Sequence, residues 1–246
     1  MKVENDVLAV LSAAKLDGSN LYLTGQLDRA LYTRTNKVLE AAGGKWDRKA
    51  KAHVFTGDAS ERVEQIILTG DITIPKDEFE HFPTPPAVVS RVLELADIKP
   101  GMVVMEPSAG RGALALPAAA AGAVVDCCEL MHENFEHLLY QPGLRAVVRA
   151  DFLQVPAEQF YDRVIMNPPF SRQADIKHVL HALQFLKPCG LLVSVMAASV
   201  LFRENKLTTD FRAQVTARGG TIERLPEGSF KASGTMVNTV VVTIPN

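Results

Sequence analysis

Four short segments of this 246-residue chain could do chemistry together, judged by residue type and spacing. The most specific is Asn167-Pro168-Pro169-Phe170, which closes the apolar run 164–166. Two consecutive prolines stiffen the loop and keep Asn167 out of helical conformation. The Asn side-chain oxygen and the Pro168 carbonyl then face one small volume. Two acceptors there can take both hydrogens of an –NH₂ group, which draws the nitrogen lone pair out of conjugation and aims it at an electrophile. Phe170 offers a face on which a planar group can stack.

The other three segments have the chemistry of a nucleotide-like ligand. Glu106-Pro107-Ser108-Ala109-Gly110-Arg111-Gly112 follows the apolar run 102–105, and glycines at a strand-to-helix turn let backbone approach a ligand closely. Its spacing is not the dinucleotide fingerprint, because Leu114-Ala115 stand where a third glycine would be. Glu129 lies about 20 residues further on, where a carboxylate can accept both hydroxyls of a ribose. In Ala150-Asp151-Phe152 an acid can bond an adenine amino group while the ring packs on the base. Taken singly, the glycine pair also suits a tight structural turn, and Glu129 also suits a solvated strand end.

Regular elements must carry these segments. Short, non-alternating apolar runs at 102–105, 124–128, 146–148, 164–166 and 191–196 read as strands buried on both faces. Helical patterns at 85–96, 174–186 and 206–218 flank or separate them, the first with Thr84 as N-cap. The runs 221–224 and 237–244 are joined by a loop and should add an antiparallel hairpin at one edge. The expected fold is α/β, a doubly wound, mostly parallel sheet with helices on both faces. Prolines 75, 83, 85 and 86 mark a joint, so the chain divides into a small α+β module at 1–75 and a larger domain at 76–246. In the module, 21–23 and 46–55 read as strands, and 27–42 and 61–68 as helices, the first stopped by Gly43-Gly44.

Composition narrows the classes. Hydrophobic residues are 47% and charged residues 22%, which is globular rather than disordered. Lys and Arg number 26 against 28 acids, so no global basic field draws the protein to a polyanion and any such contact needs a local patch. The stretch 29–51 is that patch, with seven basic residues against Glu40 and Asp47 and with Tyr32 and Trp46 among them. Placed on a strand, Lys49 and Lys51 share one face and Arg48 takes the other. A solvated charged face around a buried Trp is the competing reading. Three cysteines form no disulfide framework, and no apolar stretch is long enough to span a bilayer, so a reducing cytoplasm and no membrane are expected. His132, His137, His178 and His181 lack metal-ligand spacing, so no metal is expected. Pro188-Cys189 is placed in a helix-to-strand turn rather than at a catalytic loop.

The order Phe82-Pro83-Thr84-Pro85, the glycine turn, Glu129, Asp151-Phe152 and Asn167 to Phe170 resembles the S-adenosylmethionine-dependent adenine-N6 DNA methyltransferases of the gamma arrangement. The resemblance covers roughly 79–244. It implies a seven-stranded class I methyltransferase sheet, with the methyl donor held by Phe82, Thr84, Glu106, Ser108, Gly110, Gly112, Glu129, Asp151 and Phe152. It implies Asn167, Pro168 and Pro169 on the target amine and Phe170 stacking on an adenine flipped out of duplex DNA. Pro226-Glu227-Gly228-Ser229-Phe230 looks like the family's loop near the target base, which puts Phe230 with Arg48, Lys49 and Lys51 among the DNA contacts. The chain departs from the gamma pattern in carrying no large C-terminal target-recognition domain, so a solitary methylase is expected. The rivals are the same chemistry on a protein glutamine or an RNA base, and a non-catalytic DNA-binding anti-restriction protein.

Overall fold

The computed structural model describes residues 2–55, 58–72 and 82–246. The joint at Pro75, and with it the boundary between 75 and 76, lies outside the described residues. Two compact units emerge from the chain. The first contains the described residues of 1–77 together with Ala198–Thr209, and the second the described residues of 78–197 with Asp210–Asn246. Among the described residues no helix is long and apolar enough to cross a membrane.

The first unit runs α1 (Asn5–Ala13), β1 (Lys15–Asp17), β2 (Asn20–Tyr22), α2 (Arg29–Ala41), β3 (Lys45–Asp47), β4 (Ala52–Val54) and α3 (Ala59–Thr69). Its strands form an antiparallel sheet in the order β1-β2-β4-β3. Asp28 starts α2 by accepting from the Ala30 and Leu31 amides at 2.8 and 2.9 Å. One face of that helix then buries Val38 and Leu39 against Leu8, Leu11, Leu21, Val63 and Ile66. The run 46–55 is not one strand. Asp47 Oδ1 accepts from the Lys49 and Ala50 amides at 2.6 and 2.9 Å, and this local turn breaks the run into the β3–β4 hairpin. Arg48, Lys49 and Lys51 therefore lie in the turn, with Lys51 at φ +51°, and strand alternation does not govern their directions. Trp46 is not buried either, being 48% exposed.

The second unit contains α4 (Pro86–Ala96), β5 (Val103–Glu106), α5 (Ala115–Ala120), β6 (Val124–Glu129), α6 (His132–Leu139), β7 (Leu144–Arg149), β8 (Tyr161–Met166), α7 (Ala174–Ala182), β9 (Leu186–Ala197), α8 (Lys206–Ala217), β10 (Thr221–Arg224) and β11 (Thr239–Pro245). The first four residues of α8 are counted with the first unit. The seven strands are ordered β10-β11-β9-β8-β5-β6-β7. β5 to β9 are parallel, and β11 runs antiparallel to both β9 and β10. The hairpin expected at the edge is thus present, with β10 outermost. Val104, Val125, Val164, Ile165, Leu192, Val193 and Val241 are buried along the sheet, as the non-alternating runs require. The run 146–148 departs from that expectation: β7 is the edge strand, so its residues are exposed or half-buried, with Val148 53% exposed. Pro85, not Thr84, occupies the cap position of α4, and no side chain among the described residues caps it. Cys189 lies inside β9, at φ +65°, rather than in a turn before it.

Candidate active site

β5 pairs with β6 on one side and β8 on the other, and the connection after β5 runs toward β6 whereas the one after β8 runs the opposite way toward β9. At such a switch point the loops after the strands part and open a crevice at their C-terminal ends. The four chemical segments sit there because each follows one of these strands. Glu106 ends β5, Glu129 ends β6, Asp151 follows β7 and Asn167 follows β8. The crevice is a cleft of about 500 Å³. It is lined by Phe82, Thr84, Glu106, Ser108, Gly110, Glu129, Asp151, Phe152 and all four residues of the Asn167 loop.

The Asn167 amide is held in one orientation. Its Nδ2 donates to the Phe82 carbonyl at 3.3 Å and to Thr84 Oγ1 at 3.1 Å. A backbone carbonyl can only accept, so the nitrogen must be the atom facing it. Oδ1 is thereby turned away, and it is buried with no hydrogen-bond partner among the described residues. A buried, unpaired acceptor costs free energy on the order of 1–3 kcal/mol unless a ligand donor satisfies it. Thr84 thus does its work on Asn167 instead of capping a helix. Phe170 is 5% exposed and meets Phe230 edge-on at 6.5 Å.

The two strand-end acids are tied to the glycine turn. Glu129 accepts from the Gly110 amide through Oε2 and from the Met131 amide through Oε1, both at 2.7 Å. An ionised carboxylate has about four acceptor positions, so two remain for ligand hydroxyls. Glu106 Oε2 accepts from the Ala115 amide at 2.6 Å, at the start of α5. Burial pushes the Glu106 carboxyl well above its ordinary range, and the neighbouring Glu129 charge pushes in the same direction. Asp151 is exposed and caps the short turn that follows by accepting from the Leu153 amide at 3.0 Å. Phe152 is buried behind it, tilted against Phe185 at 5.3 Å and edge-on to His181 at 4.9 Å.

Not every candidate reaches the cleft. Gly112 does not line it. At φ +84°, its Cβ-less face closes on Leu116 and Leu138, so its role is packing. Phe230 is fully buried and reaches the cleft only through Phe170, which removes it as a direct DNA contact. Arg48, Lys49 and Lys51 belong to the other unit. Sequence reasoning missed Leu130, Met131 and His178, which also line the cleft. Leu130 and Met131 directly follow the strand-end acid and remain 63% and 48% exposed. Two apolar residues immediately after the strand-end acid Glu129 were the available signal. His178 gave none, being one helical histidine among several. Among the described residues no three His, Cys, Asp or Glu side chains converge as metal ligands.

No protein-family model matches the chain, and no curated protein matches it. Solved structures do. PH1948 from Pyrococcus horikoshii, a proposed RNA methyltransferase, superposes with a TM-score of 0.52 at 23% identity, covering 71% of this chain and 90% of that one. A dimethyladenosine transferase from Plasmodium falciparum gives 0.51 at 16% identity, covering 68% and 64%. TrmN from Thermus thermophilus gives 0.49 at 21% identity, and the chain spans only 48% of its length. At 23% and 16% identity the first two likenesses show the fold alone, which is that of the class I methyltransferases.

Proposed function

We propose that the cleft transfers a methyl group from S-adenosylmethionine to the N6 amine of adenine in DNA. The observation that carries this reading is the orphaned, buried Oδ1 of Asn167, beside strand-end acids suited to a nucleoside. The residues fit the donor. Glu129 has acceptor positions left for ribose hydroxyls, Asp151 has a free carboxylate oxygen for an adenine amine, and Gly110 (φ +54°) lets the backbone come close. Bound there, S-adenosylmethionine supplies an electrophilic methyl on a positively charged sulfur.

The chain's own groups do the rest. Asn167 Oδ1 and the Pro168 carbonyl accept the two hydrogens of the target amine, and Phe170 walls the base. The nitrogen lone pair bonds the methyl carbon as the carbon–sulfur bond breaks and its electron pair stays on sulfur, which leaves as a neutral thioether. The two fixed acceptors stabilise the positive charge gained by the nitrogen until a proton is lost to water. No strong base is required. RNA is the nearest rival acceptor, and a protein glutamine the next.

Replacing Asn167 with Ala should cut methyl transfer by at least about a hundredfold, the usual loss for one preorganised polar group. Calorimetric affinity for S-adenosylmethionine should barely move. Near-normal turnover in that variant would overturn the assignment.

A further inference from the structure

The first unit carries an exposed aromatic ring and a cluster of cations that the cleft does not use. Trp46, the single tryptophan of the chain, is left 48% exposed on β3. Its ring is nevertheless fixed from beneath. It stands edge-on to His53 at 5.1 Å, and His53 is fully buried with its Nε2 bonded to Asn36 Oδ1 at 2.7 Å. Tyr32, 42% exposed, lies one turn before Asn36 on the same face of α2. The β3–β4 turn next to Trp46 carries Arg48, Lys49 and Lys51, and Lys45 precedes it on β3. All four cations are exposed, and none forms an ion pair among the described residues. Arg34, in contrast, is committed to Glu4 and Asp6. The acid in the hairpin, Asp47, spends Oδ1 on the turn amides.

We infer that this hairpin binds single-stranded DNA, with Trp46 as the platform for an unpaired base and Arg48, Lys49 and Lys51 on the flanking phosphates. A held, exposed aromatic ring beside unpaired cations is the chemistry by which single strands are gripped without regard to sequence. The bases of a duplex are already stacked on one another and offer such a ring no face. The choice of DNA over RNA rests on the proposed acceptor. With a net charge of −2 the whole chain repels a polyanion weakly, so attraction must be local.

Because Trp46 is the sole tryptophan, its fluorescence reports on the site without donor or turnover. Titrating the full chain with a short single-stranded oligodeoxynucleotide should quench it saturably. Trp46→Ala should weaken binding of a labelled oligonucleotide, read by anisotropy, about five- to 150-fold, the worth of one stacked base. Trp46→Phe should restore most of that affinity, and the melting temperature of each variant should match the parent. A Lys49→Ala, Lys51→Ala double variant should flatten the log–log salt dependence by about 0.7 for each phosphate that is no longer neutralised. The inference falls if no quenching occurs, if Trp46→Ala binds as tightly as the parent, or if duplex DNA or RNA of the same sequence binds more tightly than the single strand. Quenching and the Trp46→Ala loss are read without donor or turnover, so their failure is distinguishable from failure of transfer at Asn167, whereas tighter RNA binding would overturn the choice of DNA in both readings.

Discussion

Glu106 carries the sharpest electrostatic consequence of the cleft. The residue is 2% exposed, and burial together with Glu129 favours the protonated form of its carboxyl. The folded protein therefore holds a proton that the unfolded chain releases, so this group's contribution to stability declines as pH climbs above about 4.5. A cation brought against Glu106 reverses the preference. Binding of the positively charged donor should release a proton and tighten as pH rises, levelling off once pH passes the raised value. Calorimetry in two buffers of different ionisation enthalpy measures that proton directly. Glu106→Gln should abolish the release, and its persistence in that variant would assign the proton to another group.

At the scale of elements, the glycine turn divides its labour. Gly110 borders the cleft, whereas Gly112 lets α5 and α6 close behind it: a Cβ there would stand 2.9 Å from Leu116 Cγ and 3.1 Å from Leu138 Cδ2. Its φ of +84° adds strain for any L-residue. Gly112→Ala should destabilise the protein by about 1–2 kcal/mol, read from denaturant unfolding, with donor affinity less affected than stability. Unchanged stability would mean the turn relaxes freely. The parallel strands were legible because each is a short apolar run ended abruptly by a polar residue, as at Glu129 and Asn167. The ligand crevice follows from that pattern, and so does burial on both faces except at the edge strand β7, whose apolar run does not announce that one side lacks a neighbour. The β3–β4 hairpin was not legible in the same way. An alternating run conceals a turn when a single aspartate, Asp47, supplies the acceptor that breaks it. Thr84 misled for a related reason. A threonine before a proline-started helix is ordinary cap chemistry, and its partner Asn167 lies 83 residues away. Ala198–Thr209 grouped with the first unit because Phe202 packs on that unit's core and Arg203 pairs with Glu64 at 2.8 Å, interactions no local pattern announces.

At the scale of the whole molecule, a nearly neutral chain combines two unlike surfaces. The second unit concentrates acids at its strand ends, where a cationic donor and a neutral amine can meet. The first displays unpaired cations and an exposed tryptophan. The central claim concerns the acceptor atom, and one measurement reaches it most directly. Methyl-labelled S-adenosylmethionine is offered with duplex DNA, single-stranded DNA, RNA and protein in parallel, and the labelled product is digested and identified. The account predicts label in DNA, recovered as N6-methyladenine and abolished by Asn167→Ala. Label recovered in RNA, on a protein glutamine or on another base atom, or no label in any acceptor, would contradict it.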